Sequence, residues 1–419
     1  MVQKWIEKSP IWVQTLFAGV AAFCTYLCFY PFRRAYTAAT FEDLYFWGIH
    51  FKILIITAQV LGFAVSKGIG VKIVSEMKPK NRTKGLLLFT GLSLLCMLLF
   101  GVTPAPYNLI FVFLGSLPLG LFYGVILGFL EGRKNTDLLV AALTASFIVG
   151  SGFAKSIGKW ILSSFDTSEF LMPFIADSLM YIPLAISIWF LSQVPAPTKL
   201  DKVDRMERKP MSKAERKGFI KEFGIGIILF ISSYVLLTAY REFRDNFMPE
   251  MLKELGHDGQ TALFTQTEIP IAIVILILMA SMRLIPKHST AFGVIQGLLL
   301  LGAVIVGVAT FLFQIGIINP ILWLILVGFG AYVAYAMSNS LYFERMLAAF
   351  KYTGTVGFMI TLADYYAYFG SLTVLFYKNF FQSKTTNLDF FIYASYGLSV
   401  TYFLMVLGSF WFFEQKRKA

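Results

Sequence analysis

Long apolar runs separated by short polar breaks recur along the whole chain. A stretch of about 20 apolar residues is long enough to cross the hydrocarbon core of a bilayer as a helix. On that rule the pattern predicts spans near 11–39, 46–76, 85–103, 107–131, 138–162, 171–194, 219–247, 263–285, 290–314, 319–344, 354–378 and 388–413. Twelve spans result, split six and six by the polar stretch from Ala196 to Gly218. The expected organisation is therefore an N-terminal six-helix bundle (1–195), a cytoplasmic linker (196–218) and a C-terminal six-helix bundle (219–419). The fold class expected is all-α integral membrane protein. Lys4 and Lys8 precede an apolar run with no small-residue cleavage site after it, so that run reads as a first span and not as a signal peptide.

Composition agrees. The chain of 419 residues is 57% apolar and only 14% charged, where a soluble surface takes about 25% charged residues. The net charge of +12 is unevenly placed. Lysine and arginine gather at the N-terminus, in "KPKNRTK" after the second span, at Arg133 and Lys134, in the central stretch, at Arg283 and Lys287, at Arg345 and Lys351, and in the terminal "KRK". The breaks after the third and ninth spans carry neither residue. This bias predicts both termini on the cytoplasmic side. It also makes a nucleic-acid partner unnecessary. The expected partners are membrane lipid and a small anionic solute, with the protein as a monomer.

Against that orientation one stretch is out of place. "YPFRRAY", Tyr30 to Tyr36, puts Arg33 and Arg34 at the outer end of the first span, where positive charge is normally scarce. The seventh span repeats the feature in "YREFRDNFMPEMLKE": Tyr240 precedes Arg241, and Arg244 follows one turn later. Arg33 and Arg241 are 208 positions apart. Further correspondences support an internal repeat. Glu131 in "FLEGRK" matches Glu344 in "LYFERM", and Lys67 of the second span matches Arg283 of the eighth in depth. Repeats of this kind are common in transporters, with the solute site near the midplane where the halves meet.

An arginine at mid-helix costs about 2.5–3.5 kcal/mol on insertion scales. The alternative to a functional role is snorkelling to the outer interface. Two arginines per helix in both halves favour a role, and guanidinium groups hold phosphate or carboxylate bidentately. Arg33 and Arg241 are thus the expected primary anion ligands. Arg34, Arg244 and Lys67 support the positive potential, and Tyr30 and Tyr240 accompany them.

Here the chain resembles the major facilitator superfamily, and within it the organophosphate:phosphate antiporters. The resemblance rests on Arg33-Arg34 in "FRRAY", Ser66-Lys67 in "GFAVSKGIG", Arg241 in "REFRDNFMPEMLKE" and Ile269-Pro270 in "TEIPIA". It implies two pseudo-symmetric bundles working by alternating access. The antiporters' fifth-helix histidine is replaced by Phe147 in "SFIVGSGFAK", and Lys155 and Asp364 are additions. "LEGRKNTD" with "TEIP" also looks like a little-characterised bacterial family related to the facilitators.

Coupling and gating have five candidates. Asp364 in "TLADYYAYFG" lies near the middle of the eleventh span. It is either a proton carrier or a structural partner of a lysine such as Lys52. Lys155 and Glu268 both fall about 10 Å below the outer surface at 1.5 Å per residue, which suits an ion pair that shuts the outer side. Glu131 and Glu344 are expected in inner ion pairs. Asp177 of the sixth span is expected to satisfy a polar contact.

Enzyme chemistry has little support. His50, His257 and His288 fall in breaks or at helix ends without metal-ligand spacing, and there is no phosphate-cradling glycine loop. Cys24 and Cys28 stand one turn apart within an apolar run, conceivable for a soft metal, yet small buried cysteines are the ordinary reading. No cofactor, metal or disulfide framework is expected. The function that fits is secondary transport of a small organic anion, proton-coupled or by exchange. The rivals are a non-transporting sensor or accessory subunit that keeps an anion pocket, and a drug or lipid exporter with an apolar cavity.

Overall fold

The structure, a computed structural model, describes residues 2–130, 133, 135–195, 213–350, 352, 356–382 and 384–418. The side chain of Lys67 and the whole of Glu131 lie outside the described residues.

The protein is an all-helical integral membrane protein. Among the described residues, ten helices are long and apolar enough to cross a membrane. Helices Phe51–Glu76 and Val356–Phe381 occupy the remaining two expected positions. Leu88, Ile186, Ile228, Ile277, Phe311 and Leu404 are all exposed, as residues facing lipid can be, because a helix satisfies its own backbone there. Prolines sit in the first turn of Pro79–Val102, Met172–Ser192 and Pro320–Met337, where their missing N–H costs nothing. Asn319 caps the last of these by accepting from Leu322 N at 2.8 Å.

The second span begins later than expected. Residues Tyr45–Phe46 and Ile49–His50 form a small antiparallel hairpin, and the helix starts at Phe51. Its turn uses Trp47 at φ 55° and Gly48 at φ 72°, left-handed backbone that glycine adopts without steric cost. The apolar-aromatic content of this stretch imitates the start of a span.

Two compact units divide the chain: Met1–Arg205 with Met248–Ala272, and Met206–Phe247 with Ile273–Ala419. In the first, helix Ile11–Arg34 packs on Thr136–Ser164 and Met172–Ser192, while Phe51–Glu76 and Pro79–Val102 pack on Leu109–Leu119. In the second, His288–Gln314 packs on Pro320–Met337 and Asn387–Lys418. The division falls inside one helix, Lys213–Glu254, at Phe247, whose φ of −110° and ψ of 15° are not helical. Pro249 lies just beyond. Its ring displaces the carbonyl four residues earlier and removes one ladder hydrogen bond, which accounts for the break.

Candidate functional site

In the first unit the helix Ile11–Arg34 runs into a short 3-10 turn, Ala35–Ala38. Arg33 is half-buried, with its guanidinium carbon 4.9 Å from the centre of the Phe63 ring and 5.9 Å from that of Tyr30. Its carbonyl accepts from Gln59 Nε2 at 2.6 Å, and Gln59 Oε1 accepts from Tyr36 at 2.7 Å. Arg34 is only 2% exposed, deep in its own unit, which is not what snorkelling produces. Phe147, standing where the antiporters have histidine, lies 4.5 Å from the Tyr26 ring and 5.5 Å from that of Tyr123. That position is aromatic packing.

The same unit holds a row of polar contacts on Met248–Ala272. Lys52, fully buried, donates to Glu250 Oε1 at 2.5 Å and to the Thr37 carbonyl at 3.0 Å. Lys52 thus meets Glu250, a pairing across 198 positions that spacing does not suggest. Ser156 bonds the Thr261 carbonyl and Thr265 Oγ1. At the ends of the spans, Lys159 donates to Asp258 at 3.1 Å and Lys253 to Glu42 at 2.5 Å, both carboxylates lying beyond the helices. The hydrogen bond and charge of Lys253 hold the Glu42 carboxyl below its ordinary value. The hydrogen bond from Lys159 does the same for Asp258.

Lys155 and Glu268 are both buried here, at 1% and 0% exposure. Lys155 Nζ donates to Ser151 Oγ at 2.9 Å. Gly152, between those two residues, lets the helices approach: a methyl group on it would run into the Phe264 carbonyl and lie 2.9 Å from Glu268 Cγ. Asp177 differs from expectation. Fully buried on Met172–Ser192, neither of its carboxyl oxygens has a hydrogen-bond partner among the described residues.

The second unit gathers the other charged candidates around Arg241, itself 6% exposed. Its guanidinium carbon lies over the Tyr335 ring, 4.3 Å from the ring centre. Its edges meet two carboxylates: Nη2 to Glu242 Oε1 at 2.6 Å and Nη1 to Asp245 Oδ2 at 3.2 Å. Tyr332 also donates to Asp245. Tyr234 stacks 5.9 Å from Tyr335 and donates to Asp364 Oδ1 at 2.9 Å. Arg244 is fully buried, donates to the Leu324 carbonyl at 3.2 Å and stands 3.7 Å from Asp245. Tyr240 bonds Ser395 at 2.7 Å and stacks on Phe391, which places it in the packing of Asn387–Lys418. Glu344 is half-buried beside Arg345, whose guanidinium reaches His288 Nδ1 at 3.2 Å.

Arg241 is thus not idle. Arg241 and Arg244 meet two carboxylates, Glu242 and Asp245, a balance that reading the arginines alone does not give. Asp245 was findable, because residues four apart share a helix face. Glu242, Tyr234, Tyr332 and Tyr335 carried no such signal.

A family described as "Family of unknown function (DUF5690)" matches residues 35–416. The chain belongs to this family. No curated protein matches it. Among solved structures, the human organic anion transporter MFSD10 (TETRAN) aligns at a TM-score of 0.56 and 13% identity, covering 95% of this chain and 100% of that one. A bacterial homologue of the human drug peptide transporters PepT1 and PepT2 aligns at 0.61 and 12% identity, covering 97% and 98%. At such identities the likeness is one of fold. This DUF5690 family member has the fold of the major facilitator superfamily.

Proposed function

We propose that the protein is a secondary transporter of a small organic anion, phosphorylated or carboxylated, working by alternating access. The observation that carries this reading is the setting of Arg241. Its guanidinium carbon lies over Tyr335, 4.3 Å from the ring centre, and its edges are directed at carboxylate oxygens 2.6 and 3.2 Å away. A guanidinium so held is prepared for planar, two-pronged recognition of an oxyanion. Arg33, at the equivalent place in the first half of the sequence and also over an aromatic ring, supports it. So do the antiporter-like motifs and the shared fold with a protein named as an organic anion transporter. In this reading both termini are cytoplasmic and Lys155 with Glu268 serves the outer closure.

The test is a thermal-shift screen of the purified protein against phosphorylated and carboxylated metabolites. A ligand at 100 times its Kd stabilises by about 2.7 kcal/mol. A screen in which no anion raises the unfolding temperature sinks the reading. A second reading also has an observation behind it: two carboxylates on Arg241, a third on Tyr234, and a fold shared with a peptide transporter homologue suit a zwitterionic solute. Dipeptides belong in the same screen, and stabilisation by them alone replaces the anion with a zwitterion.

A further inference from the structure

A threonine inside a helix can hand its hydroxyl hydrogen to the backbone carbonyl one turn back. The buried threonines of this protein do so. Thr25, Thr90, Thr144, Thr267 and Thr310 each donate to the carbonyl four residues earlier at 2.7–2.9 Å. Thr37, in its 3-10 turn, donates to the Arg34 carbonyl. Thr238 is the exception among the described residues. It is 7% exposed, and its Oγ1 meets no hydrogen-bond partner there. Burying a hydroxyl without a partner is a cost that folded proteins ordinarily avoid.

The position of Thr238 gives the exception a meaning. Tyr234, Thr238, Arg241 and Asp245 follow one another at intervals of four, three and four residues on Lys213–Glu254, which sets them in one row on one face. Three members of the row meet Pro320–Met337. Tyr234 stacks 5.9 Å from Tyr335, Arg241 lies 4.3 Å from the centre of the same ring, and Asp245 accepts from Tyr332. Thr238 stands between the two residues that share Tyr335. Along the helix axis it is about 4.5 Å from Arg241, at 1.5 Å per residue. The row therefore carries an unused hydroxyl one turn from the guanidinium. Threonine is branched at Cβ and stiff about its first side-chain bond, so the direction of that hydroxyl is well defined.

We propose that Thr238 is a solute-binding residue: its hydroxyl donates to an oxygen of the acid group that Arg241 holds. The proposal rests on the anion reading above and adds a second, neutral donor to it. A guanidinium grips an acid group in its own plane. A donor from the neighbouring turn meets the same group from another direction and fixes how the rest of the solute is turned. A few placed polar groups of this kind are what orient a ligand in an otherwise apolar site. The hydroxyl does this without adding charge beside Glu242 and Asp245, which already accept from Arg241.

The experiment uses the full-length protein in lipid vesicles, with Thr238→Val, which keeps the shape and removes the hydroxyl, and Thr238→Ser, which keeps the hydroxyl. Thermal unfolding is measured first without ligand. Thr238→Val should unfold at or slightly above the wild-type temperature, because no hydrogen bond is lost and a buried polar atom is removed. Thr310→Val is the comparison: its hydroxyl serves the Val306 carbonyl and Trp323 Nε1, and it should unfold lower. A Thr238→Val protein as destabilised as Thr310→Val shows a hydroxyl already used by the fold and overturns the proposal. Sulfate and inorganic phosphate are then titrated. Thr238→Val should bind about ten- to a hundredfold more weakly than wild type, the worth of a hydrogen bond to a charged group, and Thr238→Ser should stay close to wild type. Equal affinity of wild type and Thr238→Val overturns the proposal and leaves Arg241 as the anion ligand. A serine variant as weak as the valine one shows that shape and not the hydroxyl matters, which also overturns it. A wild type that binds neither probe nor any acid of the screen overturns the anion reading, and this proposal with it.

Discussion

Tyr234 gives its phenolic hydrogen to Asp364 Oδ1 at 2.9 Å, and its ring lies parallel to Tyr335, the ring under Arg241. Asp364 is thereby joined to the arginine through two stacked tyrosines. Tyr234→Phe removes the donor and should destabilise by about 1.5–3 kcal/mol, the usual worth of a hydrogen bond to a charged group. Asp364→Asn keeps an acceptor and should stay within about 1 kcal/mol of wild type. Thermal unfolding of the two variants side by side checks the pair. An asparagine variant less stable than the phenylalanine one would mean that the charge, and not the hydrogen bond, matters.

Lys52 is fully buried against Glu250 and the Thr37 carbonyl. Removing one member of a buried ion pair strands the other, at a cost of about 3–5 kcal/mol. Lys52→Met should lose that much, and Lys52→Met with Glu250→Met should recover most of it. Denaturation of the three proteins measures both quantities; a double variant no better than the single one would show that Glu250 is not the partner that matters.

Lys155 and Glu268 sit at the helix crossing that Gly152 makes possible. Lys155→Glu or Glu268→Lys should each impair transport by placing like charges together, and the double exchange should restore part of it. Uptake assays on reconstituted vesicles decide; a double exchange as inactive as either single change removes the gate. Gly152→Ala, which forces the helices apart, should cost about 1–3 kcal/mol as other overpacked sites do.

Arg241→Lys should reduce anion binding nearly as much as Arg241→Ala, because an ammonium keeps the charge and loses the planar fork. Undiminished binding by the lysine variant would point to a diffuse positive field.

Asp258 is depressed by the hydrogen bond from Lys159, and Glu42 by Lys253. A carboxylate whose folded value is lowered contributes stability above its unfolded value, about 3.9 for aspartate, and loses it as pH falls through the folded one. The Asp258 side chain is 56% exposed, so solvent screens the pair to well under about 1 kcal/mol. Asp258→Asn should therefore be slightly less stable than wild type near neutrality, with the difference closing as the pH falls through the range in which Asp258 is protonated. A difference that grows towards alkaline pH would contradict the assignment.

The helices were legible because a bilayer-length apolar run has few alternatives. The hairpin at 45–50 was not, since its aromatic residues resemble the start of a span and the decisive feature, left-handed backbone at Trp47 and Gly48, has only one glycine to announce it. The charged positions were legible as positions. Their partners were less so: Glu250 finds Lys52 across the whole chain, and Glu242 reaches an arginine that helix geometry would not offer it. Sequence spacing reports which face a side chain leaves, not where a long side chain ends.

The fourth and tenth expected spans are both interrupted. One stops at Leu119 after Pro118 and restarts at Phe122. The other passes through a π turn at Ser338–Tyr342 before resuming at Phe343–Ala349. A missing proline hydrogen bond and a widened turn are different chemistry with the same geometric result: an α-helical ladder broken part-way along. Each half of the sequence thus has one such broken ladder, reached by separate routes. What the two halves share is the interruption itself, and it is present where the residues that produce it do not match.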